Sequence, residues 1–199
     1  MVLELERALL EAGIKLEASK VDKLNHFINR LEWYNSVHNI TGAKSKEAII
    51  DNIIDSILPT TFMPKPNSFL DVGTGAGFPG LLLALIWDDA KATLAEPINK
   101  RASFLRLMAI ELDLPNVNVF KNRVEKLQAA PFDLITSRAV TNTKLLLDLT
   151  KHLSNLDTQY LFFKGSKVFN EIKELNSQLK YDIVQRDKRN YLWIKRNVS

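Results

Sequence analysis

The sequence predicts an α/β protein: a seven-stranded, mostly parallel sheet with its last strand antiparallel, preceded by a helical extension. Three observations carry that prediction. Short apolar runs alternate with helical segments from residue 67 onward. A glycine-rich stretch, Asp71-Val72-Gly73-Thr74-Gly75-Ala76-Gly77-Phe78-Pro79-Gly80, follows the first of those runs. The chain then closes on two strand-like segments separated by Asp187-Lys188-Arg189. Strand–helix alternation implies parallel strands with helices on both faces, and a short final connection implies an antiparallel pair.

Residues 1–66 read as helices. Leu9, Leu10, Ala12 and Ile14 form one apolar set, Leu24, Phe27, Ile28, Leu31 and Tyr34 a second, and Ile49, Ile50, Ile53, Ile54 and Ile57 a third, mostly at helical spacing. Ser19 and Ser45 are candidate caps for the second and third helices. Pro59, Pro64 and Pro66 end the region, so the expected division is a helical extension over 1–66 and a nucleotide-type binding domain over 67–199. Candidate strands follow at 68–72, 91–96, 117–121, 132–136 and 159–164. Helices are expected between them at about 78–87, 98–113, 123–129, 143–154 and 168–179, with the closing hairpin at 181–186 and 190–196. Trp33, Tyr34, Phe78 and Trp193 are expected in the core or half-buried.

Composition excludes several classes of chemistry. The 199 residues contain no cysteine, which removes disulfides, thiolate metal sites and cysteine nucleophiles. His26, His38 and His152 are scattered without ligand spacing, so no metal is expected. No apolar run approaches the ~18 residues of a membrane span, and Met1-Val2-Leu3-Glu4-Leu5-Glu6 lacks the basic start of a secretory signal. A cytoplasmic monomer is the expectation. The net charge of +4 is uneven: residues 164–199 hold nine basic and four acidic side chains, a possible phosphate-binding face or a solvated edge.

Two readings of the glycine loop compete. Gly75, Gly77 and Gly80 satisfy the spacing of dinucleotide enzymes. The fuller pattern, an acid at 71 followed by Gly73, Gly75 and Gly77, is similar to the S-adenosylmethionine loop. That cofactor has an ammonium, a sulfonium and an adenosine but no phosphate. An acid at the loop suits the ammonium, directly or through water, and opposes a pyrophosphate. A second acid is expected at the end of the next strand to accept the ribose hydroxyls, and Glu96 stands there. After the third strand, Asn122-Arg123-Val124-Glu125 is a candidate adenine bracket. Five strand–helix units closed by a hairpin resemble the Rossmann-like methyltransferases. Ordinary dinucleotide-binding domains lack that hairpin.

The segment after the fourth strand, Thr136-Ser137-Arg138-Ala139-Val140, lacks the Asn/Asp-Pro-Pro-aromatic tetrapeptide used on exocyclic base amines. Carbon methylation through a covalent intermediate usually needs a cysteine. A ring nitrogen with its own lone pair, such as guanine N7, needs neither. It needs in-line placement.

Here the residues resemble a family. The loop Asp71–Gly80, Asn39-Ile40-Thr41, Ile54-Asp55-Ser56, Lys100-Arg101 with Phe104-Leu105, Arg123 with Glu125, Ser137-Arg138-Ala139 and Lys164-Gly165 are similar to the bacterial small-subunit ribosomal RNA (guanine-N7) methyltransferases, also called glucose-inhibited division protein B. The likeness runs from about residue 35 to the Arg189…Lys195 strand. It implies S-adenosylmethionine as cofactor and a guanine in the decoding-region hairpin of the small subunit as acceptor. It further implies that Gly73 and Phe78 contact the cofactor, that Val124 and Glu125 flank its adenosine, and that Arg138 lies where cofactor and substrate meet. Asn52 stands where the family often has histidine, Val124 replaces a usual alanine, Pro97 follows the ribose acid, and Gly42-Ala43-Lys44 diverges.

Asp71, Gly73, Gly75, Gly77, Phe78, Glu96, Val124, Glu125 and Arg138 are therefore the candidate cofactor residues, with Arg138 the one candidate for a catalytic part. Asn39 and Thr41 either touch RNA or simply make a turn and cap the third helix. Lys164, at the end of the fifth strand, Arg189 and Lys195 are candidate substrate contacts, joined by Lys167, Arg186, Lys188 and Arg196 in a phosphate footprint. The rival readings are a nicotinamide-dependent oxidoreductase, a non-catalytic RNA-binding or assembly protein and, third, a methyltransferase acting on a small molecule or protein.

Overall fold

The computed structural model describes residues 2–175, 179–186 and 189–195. Its described residues form helices α1 (Val2–Glu11), α2 (Ala18–His38), α3 (Lys46–Ile57), α4 (Gly80–Ile86), α5 (Asn99–Glu111), α6 (Thr143–Thr150) and α7 (Val168–Glu171). The strands are β1 (Ser68–Val72), β2 (Lys91–Ala95), β3 (Val117–Phe120), β4 (Leu134–Arg138), β5 (Gln159–Lys164), β6 (Tyr181–Arg186) and β7 (Arg189–Ile194). They make one sheet in the order β3-β2-β1-β4-β5-β7-β6. Pairing is parallel from β3 through β5, and β7 lies antiparallel between β5 and β6. The chain leaves β1 toward β2 on one side and returns to β4 on the other. The carboxyl ends of β1 and β4 therefore flank the switch point where ligands bind in such sheets.

Alternation along the strands divides the interior into two layers. Phe69, Leu94, Leu134, Leu161 and Tyr191 face a core built with α1 through α5. Leu70, Val72, Ile135, Phe162 and Leu192 face a second core with Leu146 of α6 and Val168 of α7. Helix α4 reads Gly-Leu-Leu-Leu-Ala-Leu-Ile, and Gly80 through Leu85 are all buried. A helix apolar on every side must be covered on every side. The sheet covers one side of α4 and the amino-terminal helices cover the other, so Leu5, Phe27, Ile28 and Ile53 share one continuous core with it.

Helix α4 is seated on a carboxylate. Asp71 lies on the α4 face of β1 with no exposed surface, and its Oδ2 accepts the Gly80 N–H at 2.9 Å. Glycine at 80 is a steric requirement, since a Cβ there would fall 2.5 Å from Asp71 Oδ2 and 2.6 Å from Leu94 Cδ2. Burial pushes the Asp71 carboxyl up to about 7, against the lowering effects of the Thr74 hydroxyl and the Gly80 N–H.

Several expected boundaries move. Ser45 caps α3, accepting from Ala48 N at 3.2 Å, whereas α2 begins after Glu17 without a side-chain cap, and Ser19 lies inside the helix. The helix expected over 123–129 is a single 3₁₀ turn, Val124–Lys126. Pro131 disfavours helix at the residue before it, and Val124 and Leu127 are drawn into the second core. Strand β4 starts two residues later than expected and ends at Arg138. Phe132 N bonds Leu153 O instead of the sheet, and the Asp133 carboxylate ties the N–H groups of Asn67 and Ser68. The helices expected over 143–154 and 168–179 each break into a short α-helix followed by a 3₁₀ turn. Residues 176–178 of the latter lie outside the described residues, as do Asp187 and Lys188 of the expected hairpin turn and Arg196. Arg189 belongs to β7, paired with Arg186. Trp33 is 56% exposed, with the Arg30 guanidinium 5.2 Å above its ring. No helix among the described residues is long and apolar enough to cross a membrane.

Deleting residues 1–66 strips one side of α4. The remaining 67–199 piece is expected to show no cooperative thermal transition, and a sharp two-state melt would show that the sheet folds without its cover. A second expectation concerns pH. The ordinary Asp value is 3.8 and the folded value about 7, so the folded state keeps a proton that the unfolded chain releases above about pH 4. The stabilisation is complete below that pH and is lost as pH rises through about 7. Asp71→Asn does not titrate. Its unfolding free energy should therefore gain on the wild type between pH 4 and 7, by roughly a few kcal/mol, as read by denaturant titration. A pH-independent difference would show an Asp71 ionised throughout.

Candidate functional site

The glycine loop leaves β1 in left-handed backbone. Gly73, Gly75 and Gly77 have φ of 70°, 61° and 104°, a region costly for residues with a Cβ. The N–H groups of Gly73, Gly75, Gly77, Phe78 and Gly80 are taken internally. Gly73 N bonds Ala95 O, Gly77 N and Phe78 N bond Thr74 O, and Gly80 N bonds Asp71. Gly75 N donates to Glu96 Oε2 at 2.9 Å, and Ile98 N donates to Glu96 Oε1 at 2.8 Å. Glu96 is thus a buried carboxylate held by two backbone amides at the end of β2, beside the loop.

Above this loop lies a cleft of about 400 Å³, lined by Gly73, Gly75, Phe78, Glu96, Ile98 and Arg138 among others. Its rim is stitched to the amino-terminal helices. Lys100 Nζ bonds the carbonyls of His38 (2.8 Å) and Asn39 (3.3 Å), and Arg101 Nε bonds Ile40 O at 3.1 Å. These bonds bring Ile40 and Thr41 to the cleft wall. Asn39 sits at φ 48° as the carboxyl-terminal cap of α2, not as a cap of α3. Thr41 makes a turn, its N–H on Asn35 Oδ1 at 2.9 Å and its Oγ1 accepting Ala43 N at 3.3 Å.

On the far wall, Ala139 adopts φ 56°. This turns the chain so that Val140 Cγ2 lies 2.5 Å from where a Gly73 Cβ would stand. Arg138 and Ala139 also line a second cleft of about 440 Å³, beyond β4 and β5, with Asp55, Lys164 and Arg189. Arg138 is the partition between the two. Its Nη1 donates to Asn52 Oδ1 at 2.8 Å and to Asp55 Oδ2 at 3.4 Å, and its guanidinium stands 4.9 Å from the Phe78 ring centroid. Burial pulls its pKa down and the Asp55 charge opposes that pull; an arginine stays cationic regardless.

The other expected residues are dispersed. Val124 is buried in the second core and Glu125 is exposed, and neither lines the cofactor-sized cleft. Lys164 lines the second cleft, but its Nζ is held by Glu171 Oε2 (2.8 Å) and Thr141 O (3.0 Å). Arg189 is half-exposed at that cleft, 3.5 Å from Asp55. Lys195 is not brought there. Antiparallel β7 carries its residue 190 opposite Lys164 and its residue 194 opposite Tyr160, so Lys195 falls at the other edge of the sheet, paired with Asp182 and over the Trp193 ring. Sequence reasoning gave no part to Ile98 and Val140, which line the first cleft, or to Asn52 and Tyr191, which bond Arg138 and Asp55. For Ile98 a signal existed, an apolar residue two positions after the strand-end acid; for Asn52 there was only its departure from histidine.

This donor set fits S-adenosylmethionine and not a pyrophosphate. Most of the loop amides that would cradle phosphate are engaged within the loop, and the amino end of α4 is already occupied by the Asp71 carboxyl group. The Glu96 carboxylate would repel a dinucleotide's phosphates, whereas an ammonium and ribose hydroxyls are what carboxylates bind. Asp71 Oδ1 and the Thr74 hydroxyl are both buried beneath the loop, and the influence of that hydroxyl favours the charged carboxylate.

Comparison with known proteins agrees. The sequence family described as rRNA small subunit methyltransferase G matches residues 20–197. The ribosomal RNA small subunit methyltransferase G of Aliarcobacter butzleri is 45% identical over 188 residues, covering 94% of this chain and 96% of the relative. That of Wolinella succinogenes is 39% identical over 189 residues, covering 95% and 96%. In fold, the chain is similar to a putative O-methyltransferase from Klebsiella pneumoniae, with TM-score 0.64, 14% identity and 94% of both chains covered. It is also similar to a SAM dependent methyltransferase from Aquifex aeolicus, with TM-score 0.58, 16% identity, and 71% of this chain and 89% of that one covered. With such identity to curated relatives held along nearly its whole length, the protein belongs to the rRNA small subunit methyltransferase G family and is an S-adenosylmethionine-dependent methyltransferase.

Proposed function

We propose that the protein methylates N7 of a guanine in small-subunit (16S) ribosomal RNA. The observation that carries this reading is the pair of clefts sharing Arg138 as a wall, one with the Glu96 carboxylate suited to the cofactor and one with cations suited to RNA. When bound, S-adenosylmethionine supplies a methyl group activated by a sulfonium. The protein's residues supply position. Gly73 and Gly75 let a ligand approach the backbone, Glu96 accepts the ribose hydroxyls, and Ile98 and Val140, both more than two-fifths exposed, offer apolar surface to the adenine. Asp71 acts through the loop by fixing the start of α4. On the other side, Arg189 and Arg138 present positive charge to the RNA backbone, and Lys164 joins them on release from Glu171. Guanine N7 attacks with its own lone pair, so no side chain has to remove a proton, which suits a site whose shared wall is a permanent cation. The base has to be splayed from its stack, at a cost of a few kcal/mol. In this reading residues 1–66 brace a methyltransferase domain of residues 67–199, and the protein acts as a cytoplasmic monomer.

Labelled S-adenosylmethionine, incubated with small subunits lacking the modification and followed by chemical cleavage at N7-methylguanosine, should mark a single guanine. Label on another atom, or none with the cofactor still bound, overturns the acceptor assignment. Gly75→Asp combines a left-handed φ with a new carboxylate beside Glu96. It should weaken S-adenosylmethionine binding about 100-fold or more, equivalent to roughly 3 kcal/mol, in a calorimetric titration. Unchanged affinity would remove the loop from the site.

A further inference from the structure

We propose that Asn52 and Asp55 are positioning residues for methyl transfer, which together hold the Arg138 guanidinium at the partition between the two clefts. The inference rests on the reading of Arg138 given above. The two residues lie three apart on α3 and so share one face of the helix. Asn52 donates its Nδ2 to Ala48 O at 2.8 Å. That bond orients the amide, leaving Oδ1 as the acceptor that meets Arg138 Nη1 at 2.8 Å. An amide at this position offers an acceptor without adding charge.

Asp55 is 5% exposed and works on three partners. Its Oδ1 accepts the Tyr191 hydroxyl at 2.8 Å, while Oδ2 lies 3.4 Å from Arg138 and 3.5 Å from Arg189. Tyr191 is itself fixed, buried with its ring edge-on to Phe163 at 5.3 Å. Burial, with the Asp55 charge beside it, raises the tyrosine pKa above its ordinary value, so the hydroxyl remains a donor. The carboxylate is thus aimed by Tyr191, and Arg138 is confined by Asn52, Asp55 and the face of Phe78. One negative charge set between two guanidiniums leaves a net positive charge facing the second cleft.

Misplacing a group that frames the reacting atoms by about 1 Å can cost on the order of 100-fold in rate. Asn52 is only partly buried, which makes it the cleaner probe. The test is steady-state methyl transfer to unmodified small subunits, with separate kcat and KM, alongside cofactor titration and thermal melting. Asn52→Leu removes the acceptor at similar volume and should lower kcat about 10–100-fold, with melting temperature and cofactor affinity close to wild type. Asn52→Asp restores an acceptor and should recover most of the rate. Tyr191→Phe removes only the hydroxyl that aims Asp55 and should lower kcat in the same way. Wild-type kcat in both Asn52→Leu and Tyr191→Phe, with Arg138→Ala inactive, overturns the positioning inference and leaves the reading of Arg138 standing. Wild-type kcat in Arg138→Ala overturns that reading itself. Equal rate losses in Asn52→Leu and Asn52→Asp, tracking a lowered melting temperature, mean a structural role and also overturn the inference.

Discussion

The bond between Asp71 and the amino end of α4 is the constraint on which the rest of the site depends. A carboxylate on a central strand is costly to bury, and this one is buried completely. Its single direct amide partner, Gly80 N, is reached because position 80 has no side chain. That short approach sets how far the chain can travel between β1 and α4. The loop from Gly73 to Pro79 must close the gap, and it does so by left-handed turns at three glycines. The same turns aim Gly75 N at Glu96, so the buried Asp71 and the cleft's Glu96 are linked by a single loop.

The location of β7 has a comparable effect on the second cleft. Because β7 runs against its neighbours, its amino end shares an edge with the carboxyl ends of β4 and β5. Arg189 and Asn190 are thereby delivered to the rim where Arg138 and Lys164 emerge, and Tyr191 to the buried Asp55 behind it. A parallel strand in that slot would bring its opposite end to this rim. The hairpin that marks the fold is also what supplies the second arginine and the tyrosine.

Much of this was legible in the sequence for physical reasons. The change from helical to alternating period exposed every strand, and the loop's acid and glycines exposed the type of cofactor, because both follow from spacing within a few residues. Strand β4 was misjudged by two residues because its limits depend on Asp133 reaching back to Asn67 and Ser68, a pairing across more than sixty positions. The turn at 124–126 was overextended because burial of Val124 and Leu127 outweighed local helical preference. Lys195 was grouped with Lys164 and Arg189 by charge alone, and charge does not reveal which end of a strand a residue occupies. Asp55 meets Tyr191 across 136 residues and Asn52 meets Arg138 across 86, and nothing local in any of the three segments announces the others.

Arg138 has one further consequence. A single guanidinium borders both clefts, so what fills one alters the surroundings of the other. Free-energy linkage makes such an influence mutual. The factor by which cofactor changes the affinity for RNA must equal the factor by which RNA changes the affinity for cofactor. Whatever coupling Arg138 carries between the two clefts is therefore equal in both directions.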